Sequence, residues 1–376
     1  MYIPQYHLKN IQNIIAPQKA IIIYGPRRCG KTTLLKKWLE GVAEKYILAN
    51  GEDITIQDYL SSQSIEKLRR FVGANKLLVL DEAQKIKNIG LNLKLMLDHI
   101  EGLKIIASGS SSFDLAKQIG EPLTGRKYTL TMFPLAQLEL SGVQSRSETD
   151  ASLESRLVYG SYPEAVLLGD DSRRAQYLRE VAGSYLYKDI LELEGVRHSD
   201  KLVKLLQLLA FQIGKEVSYN ELGSQLSISK NTAERYLDLL EKSFVIFKLK
   251  GLSRNLRKEI SKNPRYYFYD LGIRNALINN FNPMQMRNDT GMLWENYIAI
   301  ERIKKQEYLR LPANNYFWRT YDKKEIDLVE EREGRLHGYE IKWSGKKVKA
   351  PKGWLETYKN ATYQVITKDN YLEFIC

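Results

Sequence analysis

The residues Gly25, Pro26, Arg27, Arg28, Cys29, Gly30, Lys31 and Thr32 fit the pattern G-x-x-x-x-G-K-[ST] without a mismatch, and Thr33 continues it into an apolar run. Backbone N–H groups of such a loop, with the helix N-terminus that follows, surround phosphate oxygens. Lys31 then reaches the outer phosphates and Thr32 holds magnesium. A second strand has to deliver an acid to that metal, and "KLLVLDEAQ" supplies Asp81 and Glu82 where the strand should end. Asp81 would hold the metal through its water shell, and Glu82 would polarise the attacking water as general base. The next apolar run, "LKIIASGSSS", ends in Ser110 and Ser111, placed to orient that water or sense a γ-phosphate. Ser110 equally suits the cap of the helix "SFDLAKQI". Arg126, just ahead of a further strand, would touch the γ-phosphate of its own or a neighbouring subunit. A structural salt bridge is its alternative.

A second set of polar residues lies near the C-terminus. Alternation in "EIDLV" and "YEIKW" marks two strands of a hairpin joined by the charged connection "EEREGRLHG". Glu340 and Lys342 are two apart and share a face, and the pairing brings Asp327 opposite Glu340. Converging carboxylates bind magnesium, and the lysine would position the attacking water. The spacing D-x12-E-x-K resembles the PD-(D/E)XK nuclease core. In that core a helix acid precedes the strands, as Glu295 does in "GMLWENYIAIERI", although Ile326 stands where the named motif has proline. The other reading is a solvated ladder of Glu and Lys on paired strands.

Between these regions, "VSYNELGSQLSISKNTAERYLDLLEKSFVIFKLKG" reads as two helices with a turn near Ser227 to Ser229. Ala233, Tyr236, Leu237 and Leu240 recur at helical spacing, so one face is buried and Lys230, Asn231 and Arg235 are exposed. Ser229 is the expected N-cap. Two strands follow and bracket a loop carrying Arg254, Arg257 and Lys258, the layout of a winged helix with a basic wing. Glu234 and Asp238 would repel phosphate, and winged helices also dock proteins.

The elements that must position these residues follow from the apolar rhythm. Short runs at Ala20 to Tyr24, Tyr46 to Ala49, Lys76 to Leu80 and Lys104 to Ser108 alternate with helical patterns. That is the signature of an α/β fold with a parallel sheet. The polar stretches 141–152 and 279–291 are the boundary signals. They predict a P-loop ATPase domain over 1–145, a helical lid over 146–199, a winged helix over 200–280 and a small α/β restriction-nuclease-like domain over 281–376. A formal charge of +12 suggests an anionic partner, DNA above all, and leaves room for a homo-oligomer or a protein partner. Cys29 and Cys376 are the only cysteines, so no disulfide framework or cysteine zinc site is available. No apolar stretch suits a membrane span and the N-terminus lacks a signal-peptide layout, so a cytoplasmic protein is expected.

"GPRRCGKTTLL", "LDEAQ", "SGSSS", "LTGR" and "FPL", then "GSYPEA", "YLYKDI", "YYFYDLGIRNAL" and "EIKW", occur in an order that resembles AAA-type P-loop ATPases of bacteria and archaea. Those proteins carry a C-terminal domain of unknown function with a restriction-nuclease-like core. The resemblance spans nearly the whole chain and implies an ATPase using ATP and magnesium. The expected function is an ATP-hydrolysing protein that binds DNA through the winged helix and carries a magnesium-dependent nuclease-like domain. The alternatives are an ATP-switched DNA-binding or protein-interaction module whose nuclease-like domain is inactive, and a protein-remodelling ATPase.

Overall fold

The computed structural model describes residues 2–110, 122–192, 199–253, 263–320, 324–345 and 348–376. They form two compact units, one of Tyr2–Pro134 with Lys242–Phe244, the other of Leu135–Glu241 with Val245–Cys376. The division falls ahead of the polar stretch 141–152. That stretch contains Ser145, which with Glu148 forms a capping box and starts the helix Arg146–Tyr159.

In the first unit, β1 (Ala20–Tyr24), β2 (Tyr46–Asn50), β3 (Leu77–Asp81), β4 (Lys104–Gly109) and β5 (Lys127–Thr131) make a parallel sheet in the order β2-β3-β4-β1-β5. Strands β1 and β3 are buried along their whole length, as aliphatic runs covered by helices on both faces must be. Ile22, Leu78, Leu80 and Ile105 pack on one side with Leu93, Met96 and Leu97 of the helix Ile89–His99. Ile21, Ile23, Val79 and Ile106 pack on the other with Leu34, Leu35 and Leu39 of the helix Lys31–Leu39. Because β1 lies between β4 and β5, the loop that follows it opens at a switch in strand order, where open α/β sheets place their ligands.

The second unit begins with helices and ends in a mixed sheet. Among the described residues that sheet has the order β11-β10-β9-β8-β6-β7, with β6 at Ile246–Gly251, β7 at Arg265–Phe268, β8 at Asn314–Arg319, β9 at Glu325–Arg332, β10 at Arg335–Ile341 and β11 at Thr362–Ile366. The antiparallel pair β6–β7 that follows the helices Tyr219–Leu226 and Lys230–Lys242 is continuous with this sheet. Lys250 and Gly251 pair in parallel with Tyr316 and Phe317 of β8. The connection between β9 and β10 is only Glu333 and Gly334, both at positive φ. A two-residue turn of that kind matches the twist of its strands, and the rest of the charged stretch forms strand. Two stretches that carried the family resemblance meet here: Asp270 of "YYFYDLGIRNAL" caps the helix Leu271–Leu277 and accepts the Ser161 N–H of "GSYPEA" at 2.7 Å.

Candidate functional site

The phosphate loop leads from β1 into the helix Lys31–Leu39, whose N-cap Gly30 has φ 101°. A side chain is strained at that φ, and a Cβ there would also lie 2.6 Å from Gln5 Nε2. Lys31 is buried and folds back to donate to the carbonyls of Gly25 at 2.9 Å and Pro26 at 2.8 Å. Cys29 is buried, Arg28 is exposed at positive φ, and Thr33 is exposed on the first turn. Thr32 Oγ1 donates to Asp81 Oδ2 at 2.5 Å, and Ser108 of β4 donates to the other oxygen of the same carboxylate. Hydroxyl, carboxylate and loop thus converge at the ends of β1, β3 and β4. An all-oxygen donor pair beside a glycine-rich loop fits magnesium with a nucleotide phosphate chain.

One residue beyond Asp81 the backbone turns. Glu82 adopts φ 51° and ψ 39° and begins a 3-10 turn over Ala83–Lys85. Its carboxylate accepts from Gln84 Nε2 at 2.6 Å, and Gln84 Nε2 also reaches Ser110 Oγ at 3.0 Å. Glu82 and Ser110 therefore belong to one hydrogen-bonded set. The helix that Ser110 would cap, and Ser111, lie outside the described residues. Ser108 and Gln84 were missed in the motif reading. Ser108 sits two residues before Ser110 on the same strand face, and Gln84 is the last letter of "LDEAQ", so both had a usable signal.

Arg126 lies away from the phosphate loop of its own chain. Its carbonyl accepts the Ala20 N–H at 2.9 Å, which places it beside the first residue of β1, whereas the phosphate loop leaves from the last. A strand of this length separates them by roughly 13 Å. Its guanidinium pairs with Asp98 of the helix Ile89–His99. The salt bridge, rather than a contact with the phosphate loop of its own chain, is what the geometry provides.

The C-terminal acids do come together. The register of the hairpin β9–β10 runs Gly338 to Val329 and Tyr339 to Leu328, so Glu340 falls opposite Asp327. Asp327 Oδ2 accepts the Ile341 N–H at 2.9 Å, and Lys342 Nζ lies 2.6 Å from Glu340 and 3.7 Å from Asp327. Glu295, on the helix Thr290–Tyr308, accepts from Tyr267 at 2.6 Å. Among these acids stands a cation no motif pointed to. Arg265 of β7 lies 2.7 Å from Glu325, 3.6 Å from Glu295 and 3.7 Å from Asp327, its guanidinium stacked 4.5 Å over the Phe317 ring.

Burial would lower the Arg265 pKa, but Tyr267, Glu295, Glu325 and Asp327 outweigh it and the net shift is upward. Burial, then the Asp327 charge, pushes Glu295 up to about 8. Asp327 and Glu340 are also raised, burial being the largest cause in both. Two resident cations, Arg265 and Lys342, already offset the carboxylates. This arrangement does not fit a divalent cation as the phosphate-loop site does. Among the described residues no group of three or more His, Cys, Asp or Glu is set to hold a metal ion.

In the helix Lys230–Lys242, Ala233, Tyr236, Leu237 and Leu240 are buried as expected and Ser229 caps Thr232 at 3.1 Å. The exposed face carries Lys230, Asn231 and Arg235 beside Glu234 and Asp238. Asn231, Glu234, Arg235, Asp238 and Glu241 line an open cavity of about 330 Å³ together with Tyr219, Lys248 and Tyr266. Arg254, Arg257 and Lys258 lie outside the described residues.

Residues 17–141 match the family described as an AAA domain. The first unit is an AAA ATPase domain. Residues 150–284 and 290–374 match two domains of unknown function, DUF8612 and DUF4143. The chain is similar to the uncharacterized protein Rv2008c of Mycobacterium tuberculosis, 26% identical over 86% of this chain and 70% of that protein. It is also similar to the uncharacterized protein MJ1544 of Methanocaldococcus jannaschii, 24% identical over 85% of this chain and 74% of that protein. Among solved structures, a signal transduction ATPase with numerous domains, carrying a tetratricopeptide repeat sensor (PH0952, Pyrococcus horikoshii), matches at 15% identity. That match covers 81% of this chain and 46% of that one, with a TM-score of 0.29. Among the described residues no helix is long and apolar enough to cross a membrane.

Proposed function

We propose that this ATPase is an ATP-switched binding module, in which the C-terminal sheet has a restriction-nuclease-like layout but serves as a scaffold rather than a cutting site. The observation that carries this reading is Arg265, whose guanidinium stands among Glu295, Glu325 and Asp327. A nuclease-like site needs Glu295 and Asp327 free for a metal; here both face a buried arginine. At the phosphate loop, Gly25 to Thr33 bind the triphosphate, Thr32 and Asp81 hold magnesium, and Glu82 takes a proton from the attacking water. Magnesium supplies charge neutralisation to the phosphates when bound.

The partner in this reading is DNA, on the net charge of +12 and on Lys230, Asn231, Arg235, Arg254, Arg257 and Lys258 as contacts. A protein partner is the second reading. Glu234, Asp238 and Glu241 on the cavity wall favour it, because they repel phosphate.

The test combines three measurements. Glu82→Gln should keep nucleotide binding and lose at least about a hundredfold in ATP turnover. Wild type with manganese should leave supercoiled and linear DNA intact, with and without ATP. Replacing Arg254, Arg257 and Lys258 together should reduce the log-log salt slope of DNA affinity by about two to three. Manganese-dependent nicking that disappears in Asp327→Ala would overturn the scaffold reading, and an unchanged slope would move the partner toward protein.

A further inference from the structure

Gln84 closes the "LDEAQ" stretch without a role of its own so far, yet it is the residue that joins the two polar strand ends beside the phosphate loop. Strand β3 stops at Asp81, Glu82 turns into the left-handed region, and the 3-10 turn Ala83–Lys85 brings the Gln84 side chain back toward Glu82. A carboxylate only accepts, so the amide nitrogen must be the atom that faces it. The same NH2 group has a second hydrogen, and it goes to Ser110 Oγ at 3.0 Å. Ser110 thus accepts from Gln84, which leaves its own hydroxyl hydrogen free to be donated elsewhere.

We propose that Gln84 is a positioning residue for ATP hydrolysis, holding the Glu82 carboxylate and the Ser110 hydroxyl in one fixed chain across the ends of β3 and β4. The inference rests on the reading of Glu82 as the general base. A glutamate side chain free to rotate has to be ordered each time a water is activated. The charge-assisted bond at 2.6 Å orders it beforehand. Gln84 touches neither water nor phosphate in this scheme; it acts through its two neighbours.

The experiment compares Gln84→Met and Gln84→Glu with wild type and Glu82→Gln in steady-state ATP turnover, alongside thermal melts and titration with a fluescent ADP analogue. Methionine keeps the length and bulk and removes the donors, so kcat should fall about tenfold while KM and ADP affinity stay within about twofold. Gln84→Glu should be slower still, because two carboxylates would face each other. The deciding measurement is the double variant, since Gln84→Met should cost nothing further in the Glu82→Gln background. If the two effects multiply, or if Gln84→Met keeps wild-type kcat while Glu82→Gln loses it, the positioning role is overturned and the base reading stands. If Glu82→Gln itself turns over normally, the base reading is the one that falls. Should Gln84→Met melt below the assay temperature, Gln84→Asn replaces it in the same cycle, since its amide is one methylene short of both partners.

Discussion

Asp81 at the end of β3 and Asp327 on β9 are both acids on mostly buried strands, yet they are kept in opposite ways. Asp81 accepts from the hydroxyls of Thr32 and Ser108. Hydroxyls orient a carboxylate without cancelling its charge, so it stays suited to a cation that arrives with a nucleotide. Asp327 has cations of this chain around it, Arg265 and Lys342, both within 3.7 Å. Its charge is offset inside the fold. The difference teaches that acids on buried strands do not define a metal site by themselves. The chemistry depends on whether the partners are neutral donors or resident cations, and on whether a loop of N–H groups stands nearby for the phosphates.

The strongest way to break this comparison is to remove the resident cation. Arg265→Met should destabilise the C-terminal unit by about 3 to 5 kcal/mol, because it leaves buried carboxylates uncompensated. Manganese should then raise the melting temperature of the variant more than that of wild type. ATP turnover should not change, since the phosphate loop is untouched. A variant that melts like wild type would mean that Arg265 is not what holds these acids, and the contrast with Asp81 would collapse.

A smaller effect sharpens the electrostatics. Glu295 is raised from 4.5 to about 8 by burial and by Asp327. Between those values the native state holds a proton that the unfolded chain has released, so stability falls as pH rises through the window. The slope is about 1.4 kcal/mol per pH unit where the difference is complete. Glu295→Gln removes the titration and should flatten the pH dependence of the urea midpoint between pH 5 and 8. An unchanged slope would place the titration elsewhere.

The two regions also differed in how much could be read from sequence. The parallel sheet was legible because buried aliphatic runs sit at regular spacing, and "GPRRCGKTT" and "LDEAQ" are local patterns whose parts touch. The pairing of Glu340 with Asp327 was legible too, since period two and a hairpin are enough to set it. Arg265 was not. It lies on β7, far along the chain from β9, and a stretch that read as part of a winged helix gave no hint that its strand extends the C-terminal sheet. The short turn at Glu333 and Gly334 was hidden for another reason: a charged run looked like a connection, although only two residues adopt positive φ. Arg126 precedes a strand, and parallel pairing puts that end of β5 opposite the phosphate loop of its own chain.

The smallest predicted effect tests whether the geometry of Glu82 depends on a neighbouring strand. Gly51 follows β2, donates its N–H to the Asp81 carbonyl at 2.8 Å, and would place a Cβ 2.3 Å from the Glu82 carbonyl oxygen. The clash is with backbone, so relief requires the turn at Glu82 to move, and that turn already sits in the left-handed region. Gly51→Ala should therefore lower kcat for ATP about tenfold, as expected when a base is displaced by a fraction of its hydrogen-bond reach. Nucleotide affinity should stay within about threefold, because Gly25 to Thr32 belong to a different strand end. Turnover and ADP affinity measured on the same preparation separate the two. Loss of affinity with normal kcat would show that the β2 end supports the phosphate loop instead of Glu82, and the hydroxyl-held acid site would then be less self-contained than its contrast with the Arg265 cluster implies.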